Sequence, residues 1–212
     1  TFATLVIVVV FGTWMNPGIA EEPIATIAII SNPYVTTLPP ENIKDENGRL
    51  RDFLAQTAPP SMEKTIDLVN RLDPDALVVL GSLTWSGSAA DMAAFAKYLD
   101  RIKTTKYTVP GHRDLLTAGR EPYQRQFGKV DASRSIKTVN GVLLAFAGDL
   151  HGHPDDASRR LSQQLGEAKS PKAVLLFGGK ESEFARPKLT PKHDAFYKLV
   201  KKNHVAVRFD PT

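Results

Sequence analysis

Six short apolar runs govern what this chain can become: Ile24 to Ile30, Ala76 to Leu80, Lys106 to Val109, Val142 to Ala147, Ala173 to Phe177 and Val205 to Phe209. Most are rich in Val, Ile and Leu, and all are too short for helices, so they read as strands buried on both faces. Amphipathic segments lie between them. Met62, Ile66, Val69 and Leu72 share one helical face behind a Ser61 cap, and Asp73-Pro74 ends that helix because proline disfavours helical backbone in the residue before it. Ser88 and Asp91 form a capping pair ahead of Met92, Phe95, Leu99 and Ile102. Asp155 or Asp156 starts a helix carrying Leu161 and Leu165, and Thr190-Pro191 starts one carrying Phe196, Leu199 and Val200. Strands alternating with helices of this length predict an α/β domain built on a largely parallel sheet. The segment from Pro39 to Pro60, bounded by two Pro-Pro pairs, reads as a long loop over the strand ends, where α/β sites usually lie.

Composition narrows the functional classes. The 212 residues, 42% hydrophobic and 24% charged, supply one sizeable core. The 27 basic residues are interspersed with 23 acidic ones for a formal charge of +4, so no stretch concentrates enough charge to mark a nucleic-acid partner. The absence of cysteine excludes disulfides, thiolate metal sites and cysteine nucleophiles. At the start, Leu5 to Phe11 is an unbroken apolar run, followed by Gly12, Asn16, Pro17 and small residues at Gly18 and Ala20. This fits the hydrophobic region and cleavage site of a signal peptide over residues 1–20, leaving a domain over 21–212 in a secreted or periplasmic setting. An uncleaved anchor or a buried strand is the alternative, and no other membrane attachment is expected. The run is too short for a comfortable transmembrane helix.

Three strand ends carry the strongest motif content: Ser31-Asn32-Pro33-Tyr34, Gly81-Ser82-Leu83-Thr84 and Val109-Pro110-Gly111-His112-Arg113-Asp114. Their order and separation resemble the signature blocks of the calcineurin-like metallophosphoesterases, which carry Asp-x-His, Gly-Asp and Gly-Asn-His-Asp after successive strands. The frame from Asp73 to Gly81, followed about thirty residues later by Tyr107 to Gly111, is its most specific part. The resemblance covers roughly residues 24–212 and implies a four-layer α/β/β/α sandwich with the strand ends lining one shallow cleft. Such enzymes hold two divalent ions about 3.5–4 Å apart, which activate water for in-line displacement at phosphorus.

At the matching positions this chain has Asn32 for the first Asp, Tyr34 for the first His, Ser82 for the bridging Asp, His112 for the Asn and Arg113 for the proton-donating His. Only Asp114 is retained. A neutral amide, a phenol and a hydroxyl do not balance two divalent charges, so no metal cofactor is expected there. The family's later His falls on Gly178 or Gly179, and its closing Gly-His-x-His falls near Asp210 to Thr212, which leaves open a domain that ends there and one truncated at its C-terminus. An isolated aspartate at a helix start is more often a cap than a ligand. His112 and Arg113 suit either an anion or an ordinary salt bridge.

A rival motif, Gly148-Asp149-Leu150-His151-Gly152-His153, resembles the Gly-Asp-x-His-Gly opening of the Ser/Thr phosphatase branch. Asp149 and His151 stand two apart and can share a side, with His153 adding a third donor. A Gly-rich loop leading into a helix is the competing explanation. His193 and His204 read as surface residues, and Trp85 lines a cleft or simply packs. The resemblance and its losses imply a family member without catalysis, acting as an extracytoplasmic binding or structural module, with a phosphate-containing small molecule as a candidate partner. The alternative is an active metal-dependent phosphoester hydrolase using Mn, Fe or Zn at an atypical site.

Overall fold

Period-two alternation within each strand decides where the layers meet. The computed structural model describes residues 4–10, 23–38, 58–111, 113–115, 120–129, 137–146, 154–168, 171, 173–177 and 207–209. They form strands β1 (Thr4–Val10), β2 (Ala25–Ser31), β3 (Ala76–Gly81), β4 (Lys106–Pro110), β5 (Lys137–Val139), β6 (Val142–Phe146), β7 (Ala173–Phe177) and β8 (Val207–Phe209). The helices are α1 (Ala58–Leu72), α2 (Ala89–Asp100), α3 (Glu121–Phe127) and α4 (Pro154–Glu167). The α/β class and all six expected strands are therefore present.

The strands make two four-stranded sheets, ordered β1-β2-β3-β4 and β5-β6-β7-β8. Each has one antiparallel edge strand followed by parallel pairs. In β2 and β3, Ala28, Ile30, Leu77 and Val79 face a cluster with Met62, Ile66 and Val69 of α1, Phe95 and Leu99 of α2, and Tyr123 and Phe127 of α3. The alternate residues Ile27, Ile29, Val78 and Leu80 pack with Val142, Leu144, Phe146, Leu175 and Phe177 of the second sheet. That is why these runs are apolar on both faces. Phe146 stacks on Phe177 at 5.3 Å and lies 6.3 Å from Tyr107 of β4, so aromatic area concentrates between the sheets. Truncating Phe146 to alanine would open a cavity there costing about 3–5 kcal/mol.

The far face of the second sheet meets α4. Gln164 accepts from the Phe146 amide at 2.9 Å and donates to the Phe146 carbonyl at 3.1 Å, completing backbone pairing that short β5 leaves unmade. At the opposite end, Asp75 accepts from Thr26 N at 2.7 Å and from Asn140 Nδ2 at 2.8 Å, tying the first sheet to the β5–β6 turn. Asn140 and Gly141 form that turn with φ of 50° and 87°, the left-handed pair that a two-residue hairpin needs.

Several expected boundaries move. Helix α1 begins at Ala58, so Ser61 is interior and not a cap; Pro59 and Pro60 fit the first turn because its amides have no intrahelical acceptor. The tail of the expected Pro39–Pro60 loop is thus helical, and residues 39–57 lie outside the described residues. Ser88 does cap α2, accepting from Asp91 N at 3.2 Å. Helix α4 starts at Pro154, again at the first turn. Helix α3 and strand β5 are unanticipated, and the expected Thr190-Pro191 helix lies outside the described residues. The apolar run near the start forms β1, paired antiparallel with β2 from Thr4↔Ser31 to Val10↔Ala25. Among the described residues no helix is long and apolar enough to cross a membrane.

Candidate functional site

The loops leaving β2, β3 and β4 at their carboxyl ends are hydrogen-bonded to one another. Asn32 N donates to Leu80 O at 2.9 Å, extending the ladder past β2, and the Asn32 Oδ1 accepts from Ser82 N at 3.0 Å. Tyr34 N donates to Ser82 O and Val35 N to Leu83 O, each at 3.1 Å, and Trp85 N returns a bond to Val35 O at 3.0 Å. Asn32 and Tyr34 hold φ of 51° and 50°. Asparagine tolerates that region; for tyrosine it costs about 1–2 kcal/mol, which the pairing with the β3 loop offsets.

Gly111 brings the β4 loop into the same cluster. A Cβ there would lie 2.5 Å from both Gly81 C and Ser82 N, so only glycine permits the approach. Asp114, fully buried in the short 3₁₀ turn Arg113–Leu115, closes the arrangement. One carboxylate oxygen accepts from Thr84 N at 2.8 Å and Thr84 Oγ1 at 2.9 Å, the other from Leu83 N at 2.9 Å and Gly111 N at 2.8 Å. Burial pushes its carboxyl up to about 6 although these donors pull it down. Asp91 plays a parallel part for the next loops, accepting from Thr37 N at 2.6 Å and Ser86 Oγ at 2.6 Å.

Arg113 turns outward. Its Cζ sits 3.6 Å from the centroid of Trp85, whose ring meets Tyr34 edge-on at 6.2 Å. The fold brings Asn32, Tyr34, Ser82, Arg113 and Asp114 together at the ends of neighbouring strands, while His112, Asp149, His151 and His153 lie outside the described residues. Trp85 joins the cluster by packing its ring between Tyr34 and Arg113. The buried carboxylate of Asp91 and the part of Thr84 were not anticipated. Their signal was available in the alternating hydroxyls Ser82, Thr84, Ser86 and Ser88, which in a buried loop need acceptors.

Two divalent ions do not suit these donors. Asp114 spends both oxygens on four donors, the Asn32 carbonyl oxygen serves a backbone amide, and Ser82 brings no charge. Among the described residues no group of three or more His, Asp or Glu side chains gathers as a metal would require. Neither protein-family models nor curated proteins give a match to this chain.

Proposed function

We propose that this chain is a non-catalytic relative of the calcineurin-like metallophosphoesterases, a four-layer α/β/β/α sandwich acting outside the cytoplasm as a binding or structural module. The packing of two like-ordered sheets, with helices against the first and α4 against the second, supports the layering. The observation that carries the functional reading is the use of Asp114: the one retained acidic residue of the three strand-end blocks serves as a loop staple, with neutral Asn32 and Ser82 beside it. A bridging carboxylate is what holds two cations together against their repulsion, and these positions supply none with a free oxygen. The extracytoplasmic part of the proposal rests on the apolar run near the start; its pairing with β2 makes retention in the mature protein the competing outcome.

The test is elemental analysis and calorimetric titration of purified protein with Mn²⁺ and Zn²⁺, alongside hydrolysis of bis(p-nitrophenyl) phosphate. The expected result is well under one tightly bound metal per chain and no turnover above the metal-free blank. Two tightly bound ions with turnover would overturn it.

A further inference from the structure

The guanidinium of Arg113 is fixed in place yet makes no hydrogen bond or ion pair among the described residues; its contact is with the Trp85 ring, 3.6 Å from Cζ. Both ends of this stack are anchored. The next residue, Asp114, is held by four donors, and the Arg113 carbonyl packs so closely on Gly87 that a Cβ there would come within 2.5 Å of it. Trp85 is held through its backbone bond to Val35 and by the edge of Tyr34. Stacking covers a face of the planar guanidinium and leaves its N–H edge available, with much of the side chain's rotamer freedom already lost. The nearby carboxylates of Asp91 and Asp114 have donors on both oxygens, so neither competes. A planar fork with available N–H groups matches an acceptor with two coplanar oxygens.

We infer that Arg113, positioned by Trp85, is a metal-independent recognition site for the oxyanion of a small molecule, a phosphate or carboxylate group. This rests on the binding-module reading and gives it a ligand class. Trp85 acts here as a positioning residue.

The experiment is calorimetric titration of the whole protein with inorganic phosphate and, separately, benzoate, in excess EDTA and at low salt. Saturable binding of either probe is expected, phosphate alone pointing to phosphoester ligands and benzoate alone to carboxylates. Arg113→Ala should weaken it about tenfold or more, the range of a lost charged hydrogen bond. Arg113→Lys, which keeps the charge but lacks the fork, should fall between. Trp85→Leu should weaken binding, and Trp85→Phe should restore most of it. Circular dichroism of each variant checks folding. Absence of binding by both probes in the wild-type protein, or wild-type affinity in folded Arg113→Ala, overturns the site. Tight binding of two metals would instead overturn the non-catalytic reading, so the two failures are distinguishable.

Discussion

Asp114→Asn tests the staple that joins the three loops. The substitution keeps the shape and one oxygen, which can stay on Thr84, but places an NH₂ against the amides of Leu83 and Gly111. Two hydrogen bonds to a charged acceptor, about 1.5–3 kcal/mol each, are lost. Against that, the variant no longer buries a charge. The carboxyl is raised from 3.8 to about 6, a difference of about 2.2 units that at about 1.36 kcal/mol each makes ionisation in the fold cost about 3 kcal/mol. That shift already includes the donors' favourable pull, so the two figures do not subtract, and the loss near pH 8 should be on the order of 1–3 kcal/mol, the cost of leaving two buried amides against an NH₂. The pH dependence is the sharper readout. Because the folded group binds its proton more tightly than the unfolded one, wild-type stability from this residue is highest at low pH and falls as pH rises from about 4 through about 6. The asparagine variant lacks that term, so the gap between the two proteins should widen by about 1.4 kcal/mol on going from pH 8 to pH 5. Urea unfolding at both pH values, with unchanged slopes, measures it. A gap that stays constant or narrows as pH falls would refute the buried-carboxylate reasoning, and a loss under about 0.5 kcal/mol would show that the loops do not depend on this residue.

Gly111→Ala should cost about 3 kcal/mol or more in the same assay, since the new Cβ meets backbone atoms of Gly81 and Ser82 that no rotamer change can move. Gly166→Ala, with nothing within 4 Å of the new Cβ and a position on α4, should be neutral or stabilising by up to about 1 kcal/mol; a large loss there would contradict the open surface seen around it. Restoring charge with Asn32→Asp, Tyr34→His, Ser82→Asp, His112→Asn and Arg113→His in one protein should create Mn²⁺ affinity measurable by calorimetry, even without activity, and failure to bind would count against the family proposal. N-terminal sequencing of mature protein should begin at or near Glu21 if a leader is removed; recovery of Leu5 to Val10 would instead assign β1 a permanent place in the sheet.

Much of the fold was legible because burial on both faces leaves a plain record: runs such as Ala76 to Leu80 carry no polar residue, which only a covered strand tolerates. The same feature hid the layering. When Leu77 and Val78 are equally apolar, nothing local says that one will meet helices and the other a second sheet. Helix α3 and strand β5 were missed because both are too short for a clear period, seven and three residues. The convergence of Asn32, Tyr34, Ser82 and Arg113 followed from motif order, since parallel strands deliver their following loops to one edge. The role of each residue did not follow. Asp114 and Asp91 look alike in sequence to any surface aspartate, and beside their local donors, the ones that make them staples between loops come from about 30 and 54 residues away. Likewise Arg113 and Trp85 lie far apart in the chain, and only the close approach that Gly111 permits stacks one on the other. Local pattern therefore determined the elements, whereas the chemistry at their ends was decided by tertiary contact, because hydrogen-bond partners and charge neighbours depend on distances that span the fold.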